Sequence, residues 1–143
     1  MSQADRKLDA VGLVAELHRR QGEMYAGGST APVAELLAED IAWHVPGQSP
    51  IAGDHRGVPQ IIDYFQKRRR LMNSTMRMHP GEVISEGDAV VQFVGGSAVA
   101  NGEHVSWRTI GIYRVDVAHG WIREAWLVPL DREAFDRIWS GLR

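Results

Sequence analysis

The chain has 143 residues, which suits a single domain spanning residues 1–143 and leaves little room for a second. Its formal net charge of −2 gives no electrostatic reason to bind nucleic acid or an anionic membrane. The lack of cysteine excludes disulfides, thiolate zinc sites and thiol nucleophiles. An early acidic residue and no long apolar run argue against a signal peptide or a membrane span, so we expect a soluble cytoplasmic protein.

The first third of the chain predicts two helices. Apolar residues recur at helical spacing from Asp5 to Ala26, and the pair Gly27 and Gly28 is expected to end this helix. Thr30 is then suited to cap a second, short helix that has a proline in its first turn.

The segment WHVPGQSPIAGDHRG, residues 43–57, interrupts the helical pattern with prolines and glycines. It predicts a strand over 41–45, a turn at Pro46 and Gly47, and a second extended segment over 51–55. A third helix follows, with apolar residues at i, i+3 and i+4. It ends in KRRR at 67–70, which could bind an anion but which we interpret as solvated cations that complement the helix dipole.

From Thr75 onward the apolar period changes to two, which is typical of strands. Four strands are predicted, over 75–85, 89–100, 103–116 and 121–128. Asn101 and Gly102 are a strong hairpin signal, and Asp131 is suited to cap a closing helix. The order of elements predicts an α+β domain in which helices cover one face of a curved antiparallel sheet.

The hairpin at Asn101-Gly102 fixes a register for these strands. It places Gly96 opposite Trp107 and Gln92 opposite Gly111. A second turn is expected to place Val115 opposite Ile122, Tyr113 opposite Glu124 and Gly111 opposite Trp126. One face of the sheet would then carry Trp107, Thr109, Gly111, Tyr113, Ile122, Glu124, Trp126 and Val128. The other would carry Arg108, Ile110, Ile112, Arg114, Arg123 and Leu127, which suits a solvated or dimerising surface.

Several motifs together resemble a known family. They are YAGG at 25–28, LLAEDIAWHVPG at 36–47, PIAGDHRG at 50–57, YRV at 113–115 and GWIREAW at 120–126. With the order of elements, they resemble the SnoaL-like group of the nuclear transport factor 2-like, or ketosteroid-isomerase-like, superfamily. The resemblance implies a cone-shaped pocket between the concave sheet and three to four helices, often in a dimer packed through the convex face. Isomerases, dehydratases, epoxide hydrolases, polyketide cyclases and non-enzymatic binding domains share this scaffold.

The catalytic positions of that superfamily hold other residue types in this chain. The slot of the ketosteroid isomerase base holds Val45, beside His44, and the slot of its oxyanion-hole acid holds Gly111. The slot of its helical tyrosine holds Arg20, and the aspartate of the limonene-epoxide-hydrolase-like members is replaced by Val128. None of these constellations is intact.

Glu124 is the best single candidate for chemistry, because the expected register points it into an apolar cavity beside Tyr113 and Trp126. Desolvation would raise its pKa toward the range used in general acid–base catalysis. The alternative is a structural carboxylate held by Tyr113, Arg20 or a backbone amide. His44 is the second candidate for proton transfer, and its alternative is a histidine that pins the turn after the first strand.

Aromatic residues on the predicted concave face could stack on a flat or polycyclic ligand. The expected substrate-binding set is Trp43, His55, His79, Trp107, Gly111, Trp126, Val128 and Tyr25. His55 is more typical of a rim or turn position than of a catalytic one. The scattered histidines predict no metal site, and no glycine-rich phosphate loop is present, so we expect no cofactor.

The leading functional hypothesis is a cofactor-free enzyme of the polyketide cyclase or isomerase type that acts on a small apolar or polycyclic molecule. Glu124 and His44 would exchange protons, while Tyr113 and Arg20 would polarise an oxygen of the substrate. A non-catalytic ligand-binding or dimerisation domain is the alternative, and an epoxide hydrolase or dehydratase is a further one. A homodimer is expected in each case.

Overall fold

The computed structural model describes residues 8–141, so the predicted beginning of the first helix at Asp5 lies outside the described residues. The described part contains four helices and six strands. They are α1 (Ala10–Tyr25), α2 (Ala31–Ala34), β1 (Leu37–Val45), β2 (Gly53–Arg56), α3 (Val58–Leu71), β3 (Arg77–Glu86), β4 (Ala89–Ala100), β5 (Glu103–Asp116), β6 (Trp121–Pro129) and α4 (Arg132–Ser140). No helix among residues 8–141 is long and apolar enough to cross a bilayer.

All six strands form one curved sheet in the order β2-β1-β6-β5-β4-β3. Every neighbouring pair is antiparallel except β1 and β6, which are parallel. The chain reaches β6 only after α3 and the β3–β5 meander, and this long connection allows two parallel strands to become neighbours. The α+β class with helices packed on the sheet is confirmed, and the sheet is mixed because of this single parallel pair.

The helix ends follow local capping chemistry. The Asp9 carboxylate accepts a hydrogen bond from the backbone N–H of Gly12 at 2.7 Å and begins α1. Asp131 begins α4 in the same way, as the sequence predicts, by accepting from the N–H of Ala134 at 3.0 Å. Thr30 makes no such bond at α2, where the hydroxyl of Ser29 accepts instead from Ala31.

The β4–β5 register agrees with the one that the Asn101-Gly102 hairpin predicts. Gly96 lies opposite Trp107, and Gln92 lies opposite Gly111. The expected pairing of Val115 with Ile122 is also present in the next hairpin.

The remaining β5–β6 register is shifted by one residue, so the expected partners of Tyr113 and Gly111 are wrong. Tyr113 lies opposite Ala125, and Arg114 lies opposite Glu124. Arg123 is the extra residue of a β-bulge between this segment and the Val115 pair. Since a shift of one residue turns every following side chain to the other face, Glu124 lies on the outer face of the sheet, away from Tyr113.

Two glycines of the meander make room for aromatic rings on the inner face. A Cβ at Gly96 would overlap the indole of Trp107, and a Cβ at Gly111 would overlap the phenol of Tyr113. Both rings therefore lie flat against backbone, which keeps them buried between the sheet and the helices.

Gly47 lets the turn after β1 approach α4. Its φ is +100°, and a Cβ there would overlap the carboxylate of Asp136. That carboxylate accepts from the N–H of Gln48 with both oxygens at 3.3 Å. The glycine therefore serves both an unusual backbone conformation and a close contact.

We expect Gly47→Ala to lower the free energy of unfolding by about 2 kcal/mol, because it adds backbone strain and displaces Asp136. Gly53→Ala is the matched control. Its φ is +126°, but no atom lies within 4 Å of the added Cβ, so it should cost only about 1 kcal/mol. Urea unfolding measures both values. Equal losses in the two variants would show that the contact with Asp136 is unimportant.

Candidate functional site

The inner face of the sheet and the helices enclose a small cavity of about 20 Å³. We call the residues around it the interior site. Its lining residues are Gln21, Trp43, Arg68, Met76, Met78, Val94, Gly95, Gly96, Trp107, Thr109, Tyr113 and Leu127. No aspartate or glutamate is among these described residues.

α1 contributes polar residues from its buried side. His18 is 4% exposed and Gln21 is 1% exposed, and they share this side with Val14 and Leu17. The spacing of 14, 17, 18 and 21 is that of one helix face. Sequence reasoning missed both residues, although their place on this apolar stripe was the available signal.

α3 contributes a buried guanidinium. Arg68 is 4% exposed because it continues the buried stripe of Ile61, Tyr64 and Phe65. One of its nitrogens donates to the hydroxyl of Tyr25 at 3.1 Å. Reading KRRR as solvated cations at a helix end therefore overlooked Arg68. The spacing 61, 64, 65, 68 could have revealed it.

Aromatic rings surround the Arg68 guanidinium. Its central carbon lies 5.0 Å from the ring centre of Trp139, 5.4 Å from that of Tyr25 and 5.5 Å from that of Tyr64. No carboxylate within the described residues forms an ion pair with it, since Arg68 is absent from every salt bridge between residues 8 and 141. Cation–π contacts offset part of the desolvation that a buried charge suffers.

His18 and Tyr113 form a hydrogen-bonded pair beside this charge. The Nε2 atom of His18 lies 3.0 Å from the Tyr113 hydroxyl. Burial lowers the pKa of His18 to about 4, so its imidazole is neutral near pH 7. Burial also raises the pKa of Tyr113, which keeps the phenol protonated. A neutral imidazole joined to a phenol can pass a proton in either direction.

The buried polar atoms without a partner belong to residues that line the interior site or contact its lining residues. Among residues 8–141 they are His18 Nδ1, Gln21 Oε1, Trp43 Nε1, Tyr64 Oη, Arg68 Nε and Trp139 Nε1. Burial raises the pKa of the Tyr64 phenol, while the neighbouring Arg68 and Trp43 oppose that rise. Such atoms are rare in folded proteins, and a cluster of them indicates a place for water or a ligand.

The structure divides the residues that the sequence nominated. It places five of them in or beside the interior site: Tyr113, Trp43, Trp107, Tyr25 and Gly111. The bulge at Arg123 turns Glu124, Trp126 and Val128 to the outer face instead. The expectation that Glu124 points into a cavity beside Tyr113 is therefore wrong.

Two other nominated residues, Arg20 and His79, also lie away from the cavity. Arg20 faces α2, where its guanidinium donates to the carbonyl of Pro32 at 2.7 Å and pairs with Glu16 and Glu35. Among the described residues it makes no ion pair with Glu124, as the structural alternative for that carboxylate required, and it does not line the interior site, as a role in polarising a substrate oxygen required. His79 is exposed on β3, where its Nε2 lies 2.8 Å from the Ser97 hydroxyl.

His55 has a supporting position. It stacks on Tyr64 with ring centres 4.5 Å apart, and its Nε2 donates to the Ile51 carbonyl at 3.0 Å. It thus holds the outer side of a ring whose hydroxyl belongs to the interior cluster of unpartnered atoms.

On the outer face, His44 bridges two carboxylates. Its Nδ1 lies 2.7 Å from Asp54 and its Nε2 lies 2.7 Å from Glu124, and we call these three residues the outer histidine cluster. The antiparallel pairing with β2 puts His44 opposite Asp54, and the parallel pairing with β6 puts it opposite Trp126. The predicted contact of His44 with Glu124 is present, but away from the interior site.

Both ring nitrogens can donate to carboxylates only when the imidazole is charged. Burial alone would lower the pKa of His44, but its hydrogen bonds to Asp54 and Glu124 and the charges of these groups outweigh burial. The net pKa is raised above the ordinary value of 6.5. No group of three or more His, Cys, Asp or Glu side chains in the described range is arranged to hold a metal ion.

The raised pKa of His44 predicts a pH-dependent contribution to stability. A histidine whose pKa is higher in the folded protein stabilises it fully below about pH 6.5. That contribution is lost as the pH rises through the folded-state pKa. Near pH 6 we expect the free energy of unfolding of wild type to exceed that of His44→Gln by at most about 1 kcal/mol, because the site is partly solvated. Urea unfolding at pH 6, 7.5 and 9 measures this difference.

Asp54→Asn is the control, since it removes one of the two charged partners and should reduce the same pH dependence. A difference between wild type and His44→Gln that stays constant from pH 6 to 9 would contradict a charged His44.

Comparison with known proteins identifies the family. A profile of the SnoaL-like domain matches residues 18–125. No protein of curated function matches the sequence significantly.

Solved structures show the same fold. Bal32a, from a soil-derived mobile gene cassette, has a TM-score of 0.78 and 24% identity over 92% of this chain and 99% of its own. TerC, co-crystallised with polyporic acid, has a TM-score of 0.76 and 16% identity over 90% of this chain and 96% of its own. A protein of Jannaschia sp. CCS1 assigned to the SnoaL-like polyketide cyclases has a TM-score of 0.76 and 14% identity. The match covers 100% of this chain and 99% of that protein. The profile covers most of the chain and these folds agree with it, so the chain belongs to the SnoaL-like family and shares its fold with nuclear transport factor 2-like proteins.

Proposed function

We propose that the interior site binds a small apolar or polycyclic molecule and that the protein is a cofactor-free enzyme of the polyketide cyclase or isomerase type. The observation that carries this proposal is the His18–Tyr113 pair, 3.0 Å apart, within a cluster of unpartnered polar atoms. These groups replace Glu124 and His44, which the sequence suggested for proton transfer.

The route to the interior site passes Met78. The cavity of about 20 Å³ holds about one water molecule, far less than a ligand needs. A groove of about 350 Å³ lies next to it, lined by residues that include His18, Gly22, Gln92 and Met78. Met78 lines both spaces, and methionine side chains rearrange readily. Rotation of Met78 would join the groove and the cavity.

The pair supports proton transfer next to a carbonyl group. Tyr113 would take a proton from the carbon beside the carbonyl while it passes its own proton to His18 Nε2. Arg68 lines the same cavity, and its free Nε–H would stabilise the negative charge that develops on the substrate oxygen. Positioned acid–base groups of this kind contribute about 10²- to 10⁴-fold to a rate.

Two structural neighbours support the substrate class. One was crystallised with polyporic acid, and another is assigned as a polyketide cyclase. Both share the fold of this chain, whose interior site has three aromatic rings, those of Trp43, Trp107 and Tyr113, among its lining residues.

The test is hydrogen–deuterium exchange at the carbon beside the carbonyl of bicyclic ketones such as 2-tetralone, followed by proton NMR in D₂O. Wild type should accelerate exchange above the buffer rate. Tyr113→Phe should reduce this acceleration at least about tenfold, because the phenol that moves the proton is gone. His79→Gln, an exposed change on β3, should leave it unchanged. Full activity in Tyr113→Phe would contradict the proposed role of the pair.

A non-catalytic ligand-binding protein is the second candidate, favoured by the lack of any carboxylate among the described residues that line the cavity. The same mixtures of wild-type protein and ketone distinguish an enzyme from a binding protein. Ketones that change tryptophan fluorescence on binding, without faster exchange, would identify a binding protein.

We also propose a homodimer through the outer face of the sheet. Cross-strand rows there join Val91 with Ile112 and Trp126, and Phe93 with Ile110 and Val128. Phe93 is 46% exposed and Val128 is 40% exposed. A contiguous apolar surface of this kind is typical of a protein interface.

We expect Phe93→Lys to weaken dimerisation at least about tenfold, since it places a charge within this apolar surface, next to Ile110. Size-exclusion chromatography with light scattering measures the effect. Leu71→Lys is the control, because Leu71 is also exposed, at 40%, but lies on α3. A dimer that survives Phe93→Lys would exclude this face as the interface.

A further inference from the structure

We infer that the interior site takes its ligand as an anion: a planar aromatic or conjugated acid whose deprotonated oxygen lies against the guanidinium of Arg68. This inference rests on the proposed function in one respect, that the interior site binds a small molecule. It adds the charge of that molecule and the end by which it is held.

The interior site holds a positive charge without a counter-ion among the described residues. A guanidinium stays protonated in proteins, and Arg68 is only 4% exposed. No aspartate or glutamate is among the described residues that line the cavity. Around the charge are the rings of Tyr25, Tyr64 and Trp139, whose faces compensate it only in part. A buried cation without a counter-ion is costly, and an anionic ligand would supply the missing charge.

Most of the unpartnered polar atoms at the interior site are hydrogen-bond donors. Of the six unpartnered buried atoms in the described part of the chain, three can only donate: Arg68 Nε, Trp43 Nε1 and Trp139 Nε1. The hydroxyl of Tyr64 can also donate. Only Gln21 Oε1 must accept, so the larger unmet need of the site is for acceptors. A carboxylate, phenolate or enolate oxygen offers several lone pairs and no competing donor.

The walls of the cavity are mainly apolar. Trp43, Trp107 and Tyr113 present ring surfaces to the cavity, and Met76 and Met78 close it with flexible apolar chains. His18 adds no second positive charge near pH 7, since burial keeps it neutral. A ligand that fits would thus be flat and apolar apart from one negatively charged end.

The test compares two probes of the same shape, 2-naphthoate and 2-naphthamide, by calorimetry and tryptophan fluorescence at pH 7. Wild type should bind the carboxylate at least about tenfold more tightly than the neutral amide, the range expected for hydrogen bonds to a charged group. Arg68→Met should abolish this preference, and Arg68→Lys should keep part of it.

Arg69→Met is the matched control. Arg69 is the next residue of α3, but its guanidinium donates to the backbone carbonyls of Met24 and Gly28 instead of lining the cavity. The preference for the carboxylate should survive this change. The melting temperature of Arg68→Met should be no lower than that of wild type, because the substitution removes a buried charge without a counter-ion.

Four outcomes would decide against the inference or its basis. Equal or tighter binding of the amide by wild type would overturn the inference and leave interior binding intact. Retention of the preference in Arg68→Met, or its loss in Arg69→Met, would assign the selectivity to another cation. A steep fall in the melting temperature of Arg68→Met would make Arg68 a structural residue. Failure of wild type to bind either probe would count against the proposed function itself.

Discussion

One extra residue in β6, Arg123, determines which side of the sheet receives the polar side chains of the last strand. The bulge keeps Val115 opposite Ile122 but pairs Tyr113 with Ala125 instead of Glu124. Arg123 itself reaches outward, where its guanidinium lies 2.9 Å from Asp40 and 3.5 Å from Asp116. These ion pairs hold the side chain of Arg123 at the surface. Ala125 and Leu127 then face inward and complete the inner face of the sheet.

The bulge thereby separates two kinds of electrostatic environment within a few residues of chain. The outer face holds His44 between two carboxylates, an arrangement in which the charges of protein groups satisfy one another. The interior holds Arg68, a neutral imidazole and several N–H groups, with no carboxylate among the described lining residues. The first environment ties β1, β2 and β6 together. The second is incomplete without another molecule, which is the usual condition of a binding site.

Much of this fold follows from local sequence signals. The change of apolar period at Thr75, the Asn101-Gly102 hairpin and the Asp131 cap each act over a few residues, and the structure agrees with all three. The bulge could not be predicted in this way. Large apolar residues occupy both 126 and 127, so alternation does not show which of them faces inward, and the ion pairs of Arg123 join distant parts of the chain.

The interior site was predicted only in part, for a related reason. Trp43, Trp107 and Tyr113 stood out as aromatic residues on strands, where period-two alternation gives their facing. His18, Gln21 and Arg68 lie on helix stripes that pattern reading expects to be apolar. A polar residue on such a stripe lowers the amphipathic signal, so the residues that give the interior its chemistry were also those that the pattern discounted.

The two glycines under the aromatic rings have a consequence for how this interior can change. Because the phenol of Tyr113 lies over Gly111 and the indole of Trp107 lies over Gly96, each ring and its glycine occupy one shared space. A side chain added at either glycine drives a whole ring toward the cavity. The capacity of the cavity is therefore set in ring-sized steps by these two pairs, and a change of ligand size requires coordinated substitution of both members of a pair.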